Sequence, residues 1–182
     1  MGQNETLVLT YTLQATDSSA DAATDTQTVT ITITGSNDAP DISVQAGDSA
    51  AEILVETNTS LITSGSLSLT DVELVDTVDV VVESLAVDAS STFAGTNPLT
   101  NAELKAMLSL TDGVNNAATP GSTGNLGWTF DSGSEAFDFL GQNETLVLTY
   151  TLKATDDSIA SGTDNQTVTI TITGSNDAPD IS

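Results

Sequence analysis

Residues 2–43 recur as residues 141–182 with 35 of 42 positions identical, a spacing of 139 residues. Self-similarity of this kind governs the whole organisation of a chain, because each copy must be a structural unit that packs in an array. The spacing predicts one complete unit over 44–182, preceded at 1–43 by the closing part (last two strands and linker) of an earlier unit. Six of the seven differences fall at 18–26 against 157–165. They lie between two strand-like runs, where a surface loop tolerates change.

Each copy reads as two strands and a loop. Leu146, Leu148, Tyr150 and Leu152 alternate with Thr145, Val147, Thr149 and Thr151, and Val168, Ile170 and Ile172 alternate with Thr167, Thr169, Thr171 and Thr173. Period two with one apolar face is the pattern of a half-buried antiparallel strand. Further strands are expected at 50–56, 66–70, 77–83, 85–89 and 126–130. Thr100-Asn101-Ala102-Glu103 is a capping box that opens a short helix through about Leu110, with Ala102, Ala106, Leu108 and Leu110 as its apolar positions. Short strands punctuated by Gly, Asn, Asp and Ser predict an all-β fold, a Greek-key β-sandwich with one short helix inserted. Trp128, Phe130, Phe137, Phe139 and Tyr150 are its expected core anchors.

Composition narrows the chemistry. The chain carries 26 acidic residues against two lysines, Lys105 and Lys153, for a formal net charge of −24, and has no arginine, histidine or cysteine. Zinc, haem and iron–sulfur ligation of the usual kind, thiol nucleophiles and Ser-His-Asp triads are excluded. Nucleic acid and anionic membrane surfaces are excluded as partners, because both require positive charge on the protein. No apolar run approaches the length of a membrane span, and no signal-peptide pattern follows Met1, so any export signal is expected elsewhere.

Where the carboxylates meet follows from strand direction. Units joined end to end have their termini at opposite poles, so the last strand, 166–173, runs from the entry pole to the exit pole and the strand before it runs back. Their connection, with Asp156, Asp157 and Asp164, then sits at the entry pole. The strand at 66–70 delivers Asp71, Glu73 and Asp76 there too, and the linker Gly35-Ser36-Asn37-Asp38-Ala39-Pro40-Asp41 arrives at the same place. Glu56 is expected at the exit pole near Asn176 and Asp177. Uncompensated, such a cluster is unfavourable, since two like charges 4 Å apart repel by about 4 kcal/mol at an effective dielectric near 20. A cation reverses the sign. Ca²⁺ fits because it accepts six to eight oxygen ligands in flexible geometry, whereas Mg²⁺ demands a stricter octahedron and retained water. The consequence is a stiff rod with several calcium ions, mainly at the domain junctions. Asp48, Asp88, Asp112, Asp131 and Asp138 are read as solvated turn residues.

The quoted residues carry a resemblance. Tyr150 to Asp156, the Thr-Val-Thr-Ile-Thr-Ile-Thr run and Gly174-Ser175-Asn176-Asp177-Ala178-Pro179 resemble the end of the VCBS-type, cadherin-like repeats of large bacterial adhesins. Leu69-Thr70-Asp71-Val72-Glu73-Leu74-Val75-Asp76 resembles the acidic motif after an early strand of those repeats. The resemblance implies an Ig/cadherin-like sandwich in a tandem array, acting as an extender of a calcium-dependent RTX adhesin secreted to the surface of a Gram-negative bacterium. Such an extender projects a distal ligand-binding region for attachment and biofilm formation, its direct partners being the neighbouring repeats. It also implies Asn37 and Asp38 as linker ligands, Asp71 and Glu73 as the acidic pair and Asp156 as the late-strand acid. The Gly-Gly-x-Gly-x-Asp nonapeptide is absent, so the chain is not a calcium β-roll.

Two other functional classes are open to such a chain. A binding module would present the 95–124 segment or a flat threonine face to carbohydrate or ice, but β propensity alone explains the threonines. A two-carboxylate glycosidase would need a paired site in an aromatic-lined cleft, and with 26 acids pairs arise by chance. A Lys–Asn isopeptide staple is disfavoured, since Gln14 stands in the first copy where Lys153 stands in the second. The chain is therefore expected not to be an enzyme.

Overall fold

Runs of threonine alternating with valine, isoleucine or leucine are stiff at the first side-chain torsion, favour extended backbone and leave one apolar face that needs cover. The structure is a computed structural model and describes residues 1–111, 114–116 and 122–178. Asp112, expected in a solvated turn, and Pro179 of the second linker lie outside the described residues. In chain order the elements are β1 (Thr6–Thr16), β2 (Thr24–Thr34), β3 (Asp41–Ser43), β4 (Ala51–Val55), β5 (Ile62–Thr70), β6 (Thr77–Val87), α1 (Asn101–Ala106), β7 (Leu108–Leu110), β8 (Val114–Asn116), β9 (Leu126–Asp131), β10 (Thr145–Asp156) and β11 (Thr163–Thr173).

Strands β1 and β2 form a two-stranded sheet of their own, and the remainder makes a sandwich of two sheets in the orders β4-β11-β10-β6-β8 and β3-β5-β9-β7. Strand β11 is antiparallel to β10, which is antiparallel to β6, while β4 lies parallel to β11 with Ala51 opposite Thr169 and Val55 opposite Thr173. The inner faces supply the core: Leu67 and Leu69 from β5, Trp128 and Phe130 from β9, and Leu146, Leu148, Tyr150, Leu152, Val168, Ile170 and Ile172 from β10 and β11 are all fully buried. Phe130 meets Tyr150 edge-on with ring centroids 6.5 Å apart. The indole of Trp128 lies against Gly65, where a Cβ would come within 2.5 Å of the ring, and its Nε1 donates to Ser49 O at 2.8 Å. Of the expected anchors, Phe137 is also fully buried and Phe139 is half-buried.

Three expectations are corrected. The helix opens on the predicted capping box, with Glu103 N donating to Thr100 Oγ1 and Thr100 N to Glu103 Oε2, but it closes at Ala106 rather than Leu110. Leu108 and Leu110 instead pair with Phe130 and Trp128 as β7, because alternation with Ser109 matches a sheet edge as well as it matches a helix face. The segments 77–83 and 85–89 are one strand, β6, bent by a bulge: Thr151 faces Ser84, Leu152 faces Val82, and Glu83 between them has no opposite number. Both lysines converge on that bulge, Lys105 Nζ donating to Glu83 O at 2.9 Å and Lys153 Nζ lying 3.4 Å from Glu83 Oε1. Asp48 is a staple rather than a solvated turn residue. Half-buried, it accepts from Ser66 Oγ at 3.0 Å, Ser68 Oγ at 2.6 Å and Gln45 N at 2.9 Å, fastening the 45–48 turn to β5.

The 95–124 segment belongs to the scaffold. Its strands β7 and β8 form the outer edges of the two sheets, and α1 sends Leu104 into the core, where Leu104 O accepts from Tyr150 Oη at 2.9 Å.

Candidate cation sites at the two poles

Strand directions agree with the expected poles. Strand β5 runs toward the entry pole and delivers Asp71, β10 ends there at Asp156, and the linker after β2 arrives between them. Asp71, Glu73 and Asp156 are each 3% exposed and Asp76 is half-buried. Asn37 Nδ2 donates to Asp156 Oδ2 at 3.0 Å, and Asp38 N donates to Glu73 Oε2 at 3.0 Å. The linker is thus tied to both acidic loops. Asp156 also accepts from Ser158 N and Oγ and from Gly162 N, and Asp71 Oδ1 accepts from Glu73 N at 3.0 Å.

Among the described residues, four buried side-chain oxygens or nitrogens have no hydrogen-bond partner: Gln3 Oε1, Asn37 Oδ1, Asp71 Oδ2 and Asp76 Oδ2. All are oxygens, and all belong to the segments that meet at the entry pole. Buried polar atoms are ordinarily paired, and an orphaned acceptor costs roughly 1–3 kcal/mol, more when charged. Their complement is a hydrogen-bond donor or a cation, and neither lysine serves, since Lys105 and Lys153 are both at Glu83.

The electrostatics carry the same imprint. Burial pushes the Asp71 carboxyl up, and repulsion from Glu73, Asp76 and Asp156 adds to it despite the Glu73 hydrogen bond. Asp76 is raised by burial and by Asp157, Asp156, Glu73 and Glu5. Burial would raise Asp156 as well, but the hydrogen bonds from Asn37, Ser158 and Gly162 outweigh it and hold the group below the usual range.

The other predicted entry-pole residues have local roles. Asp157 is exposed and accepts from Thr77 N at 2.9 Å and Thr77 Oγ1 at 2.6 Å, clamping the start of β6. Asp164 Oδ2 accepts from Ile42 N at 2.9 Å and so anchors β3. Asp41 is exposed at the start of β3, and Asp38, also exposed, engages through its backbone.

The exit pole is built differently. Glu56 is fully buried at the end of β4, with Oε2 accepting from Ser175 Oγ at 2.8 Å and Ser175 N at 3.2 Å and Oε1 accepting from Asn58 N. Glu56, Asp138 and Asp177 each offer a carboxylate oxygen, and these lie within 4.8 Å of one another, the one group of three acidic residues this compact among the described residues. Desolvation raises the Asp138 carboxyl, with repulsion from Asp177, Glu56 and Glu135. Burial acts upward on Glu56 too, yet the hydrogen bonds from Asn58 and Ser175 hold it below the ordinary range. Asp138, expected as a solvated turn residue, is exposed and also lies beside Glu56; Phe137, buried next to it at a φ of 66°, sets the turn that brings the two together. Asn176 is exposed, its Nδ2 3.4 Å from Asp177 O, and lies outside this triad.

Sequence reasoning missed Asp138, Gln3 and Glu5. The last two precede β1 in a turn that the repeat duplicates as Gln142 and Glu144.

No protein-family model matches the chain, and no curated protein matches it. Among solved structures it is similar to protocadherin gammaB7 extracellular cadherin domains 3–6, a cis-dimer structure, with a TM-score of 0.46, 16% identity, and 92% of this chain and 32% of that chain covered. Protocadherin gamma B2 domains 3–6 match with a TM-score of 0.46, 18% identity and the same coverage of 92% and 32%. AggA, the major subunit of aggregative adherence fimbriae type I from Escherichia coli, matches with a TM-score of 0.39 and 10% identity over 76% of this chain and 97% of that one. The chain spans about a third of the protocadherin chains it matches. The fold that the sheet orders define is a two-sheet β-sandwich. At such identities and TM-scores the likeness assigns neither family nor site, and the candidate sites rest on the geometry above. No helix among the described residues is long and apolar enough to cross a membrane.

Proposed function

We propose that the chain is a calcium-stiffened extender of a large secreted bacterial surface adhesin of the RTX, VCBS-repeat type. In this reading residues 1–43 close one repeat and 44–182 form the next. The observation that carries it is the gathering of every unpartnered buried side-chain oxygen among the described residues at the place where the two units meet. Oxygen acceptors from both units, without donors and beside repelling carboxylates, are the donor set a hard cation requires, and calcium tolerates such an irregular set better than magnesium does. Asn37, Asp71, Asp76 and Asp156, with Glu73 behind them and Gln3 and Glu5 across the junction, would hold it at the entry pole. Glu56, Asp138 and Asp177 would hold it at the exit pole.

The role is structural, not catalytic. Bound calcium would supply the positive charge that the junction lacks, fix the linker dihedrals that Pro40 leaves free, and keep successive repeats coaxial. Affinities of extracellular calcium modules, about 10⁻⁴–10⁻³ M, match occupancy outside the cell and release inside it. A distal region elsewhere in the parent protein would bind the attachment target and support biofilm formation.

The experiment is a thermal melt and a small-angle scattering profile in several millimolar Ca²⁺ and again in EDTA. A higher melting temperature and a longer, stiffer particle with calcium are expected. Superimposable curves would overturn the reading.

A further inference from the structure

Residues 71–76 are folded inside out. Asp71 and Glu73 are 3% exposed, whereas Val72, Leu74 and Val75 are 60%, 58% and 67% exposed, and Ile159 across the rim is 90% exposed. A free surface loop has the opposite arrangement, because buried charge is costly and exposed aliphatic area forfeits roughly 25 cal/mol per Å². A cation accounts for the inward carboxylates. It leaves the outward aliphatic side chains unexplained, and clustered exposed apolar groups mark an interaction surface.

What faces them is fixed by the chain's own duplicate. In the turn at 2–5, Glu5 N donates to Gly2 O at 3.1 Å, Asn4 N to Gly35 O at 3.1 Å and Gly35 N to Glu5 O at 2.8 Å. The turn at 141–144 repeats these bonds at 2.9, 3.0 and 2.8 Å. Gly2 therefore stands where Gly141 stands in a complete repeat, and the residues before it correspond to Phe137–Leu140. Gly2 is buried, and a Cβ placed on it would lie 3.1 Å from Val75 Cγ2. The cleft beside it is already lined by Gly2 and Gln3 on one side and by Val75 and Ile159 on the other. Val75 and Ile159 thus extend the existing contact between the two segments, toward the place where the counterpart of the Phe137–Leu140 turn would precede Gly2.

We propose that Val72, Leu74, Val75 and Ile159 form an apolar collar that receives the Phe137–Leu140 turn of the preceding repeat and holds the two repeats together whether or not the cation is bound. The proposal rests on the tandem-array reading above. It makes position 159 a tuning point: the first copy carries Ala20 where the second carries Ile159, so a junction built on an alanine there docks more weakly.

The test uses the chain extended at its N-terminus by residues 44–140, so that its first hairpin belongs to a complete repeat. It is compared with the same chain carrying Val72→Ser, Leu74→Ser, Val75→Ser and Ile159→Ser in the second repeat. Hydrogen exchange is read in EDTA at the Phe137–Leu140 turn of the first repeat and at the same turn of the terminal repeat, which faces no collar. The first turn is expected to exchange about tenfold more slowly, and the fourfold variant to abolish the difference while still titrating calcium. Should the fourfold variant unfold, Ile159→Ser alone carries the comparison, since that side chain is almost wholly exposed. Equal exchange at the two turns in EDTA, or a variant indistinguishable from its parent, overturns the collar. A protected turn in a chain that ignores calcium supports the collar and sinks the cation reading. Concentration-dependent dimerisation of the 182-residue chain that the variant abolishes would hand the patch to a second copy and overturn the proposal.

Discussion

The hairpins β1–β2 and β10–β11 share nearly one sequence and one register, Thr6 opposite Thr34 in the first and Thr145 opposite Thr173 in the second. Their surroundings differ completely. Leu146, Tyr150, Leu152, Ile170 and Ile172 are fully buried, while their counterparts Leu7, Tyr11, Leu13, Ile31 and Ile33 are 44%, 50%, 57%, 46% and 45% exposed. Register and strand length are therefore local properties of the threonine-alternating sequence, whereas burial is conferred by β4, β6 and the opposite sheet. The first hairpin, a two-stranded sheet of its own, leaves its apolar face uncovered and its edges open.

The widest separation between the two should come from truncating equivalent core positions. Leu146→Ala is expected to cost about 2–5 kcal/mol in chemical denaturation, whereas Leu7→Ala should stay within roughly 0.5 kcal/mol. Equal losses would mean that the first hairpin is covered in solution.

Position 162 offers a sharper contrast, because the first copy has Ala23 where the second has Gly162. A Cβ on Gly162 would lie 2.5 Å from Asp156 Oδ2 and 2.6 Å from Ala39 Cα. Gly162→Ala should lower stability by about 1–3 kcal/mol and loosen the linker, while Ala23→Gly, with no linker packed on it, should cost no more than about 1 kcal/mol.

Asp17 and Asp156 are also equivalent, and both accept from a serine two residues on. Only Asp156 is joined by Asn37 and faced by Asp71 and Asp76. In several millimolar calcium the melting transition should rise by the equivalent of about 1–2 kcal/mol per site. Asp156→Asn should remove most of the entry-pole share of that rise and Asp17→Asn none of it. A calcium response unaffected by Asp156→Asn would break the assignment.

The smallest expected effect is in pH. The folded-state values of Asp71 and Asp76 lie above the ordinary 3.8, so their contribution is most favourable when protonated and is lost as pH rises through those raised values. In EDTA the protein should therefore gain stability as pH falls from neutral toward the carboxylate range. The lowered groups Glu56 and Asp156 withdraw theirs only below it. With calcium bound the trend should reverse, because protons displace the cation. Melting curves against pH in the two buffers test this, and Asp71→Asn should flatten the EDTA branch.

Most of the fold was legible, because period-two alternation and a capping box are local signals and strand direction follows from joining units end to end. The elements that escaped are those whose identity is set by neighbours. Strand β3 is three residues long, too short to show a period, and exists because Asp164 and β5 hold it. Leu108 and Leu110 are ambiguous alone and become a strand only against β9. At the sites, the loops that carry Asp71, Asp76 and Asp156 were readable from topology. Asp138 was not, since its place depends on the left-handed turn at Phe137. Asp157, Asp164 and Asp41 show the converse, that a carboxylate delivered to the right end can still be spent on a backbone amide or on solvent.

The parallel pairing of β4 with β11 has a mechanical meaning. In the tandem array proposed above the chain would enter a repeat beside β3 and leave it after β11, so tension would pull β4 and β11 past each other along their length. Five residues of β4, Ala51 to Val55, are opposed by Thr169 to Thr173, and their hydrogen bonds lie across the pull, where they must fail together and cannot be unzipped one by one. Forced unfolding is governed by the height of that barrier rather than by equilibrium stability. In the proposed array, resistance to extension would therefore come from this shear geometry and not from equilibrium stability alone.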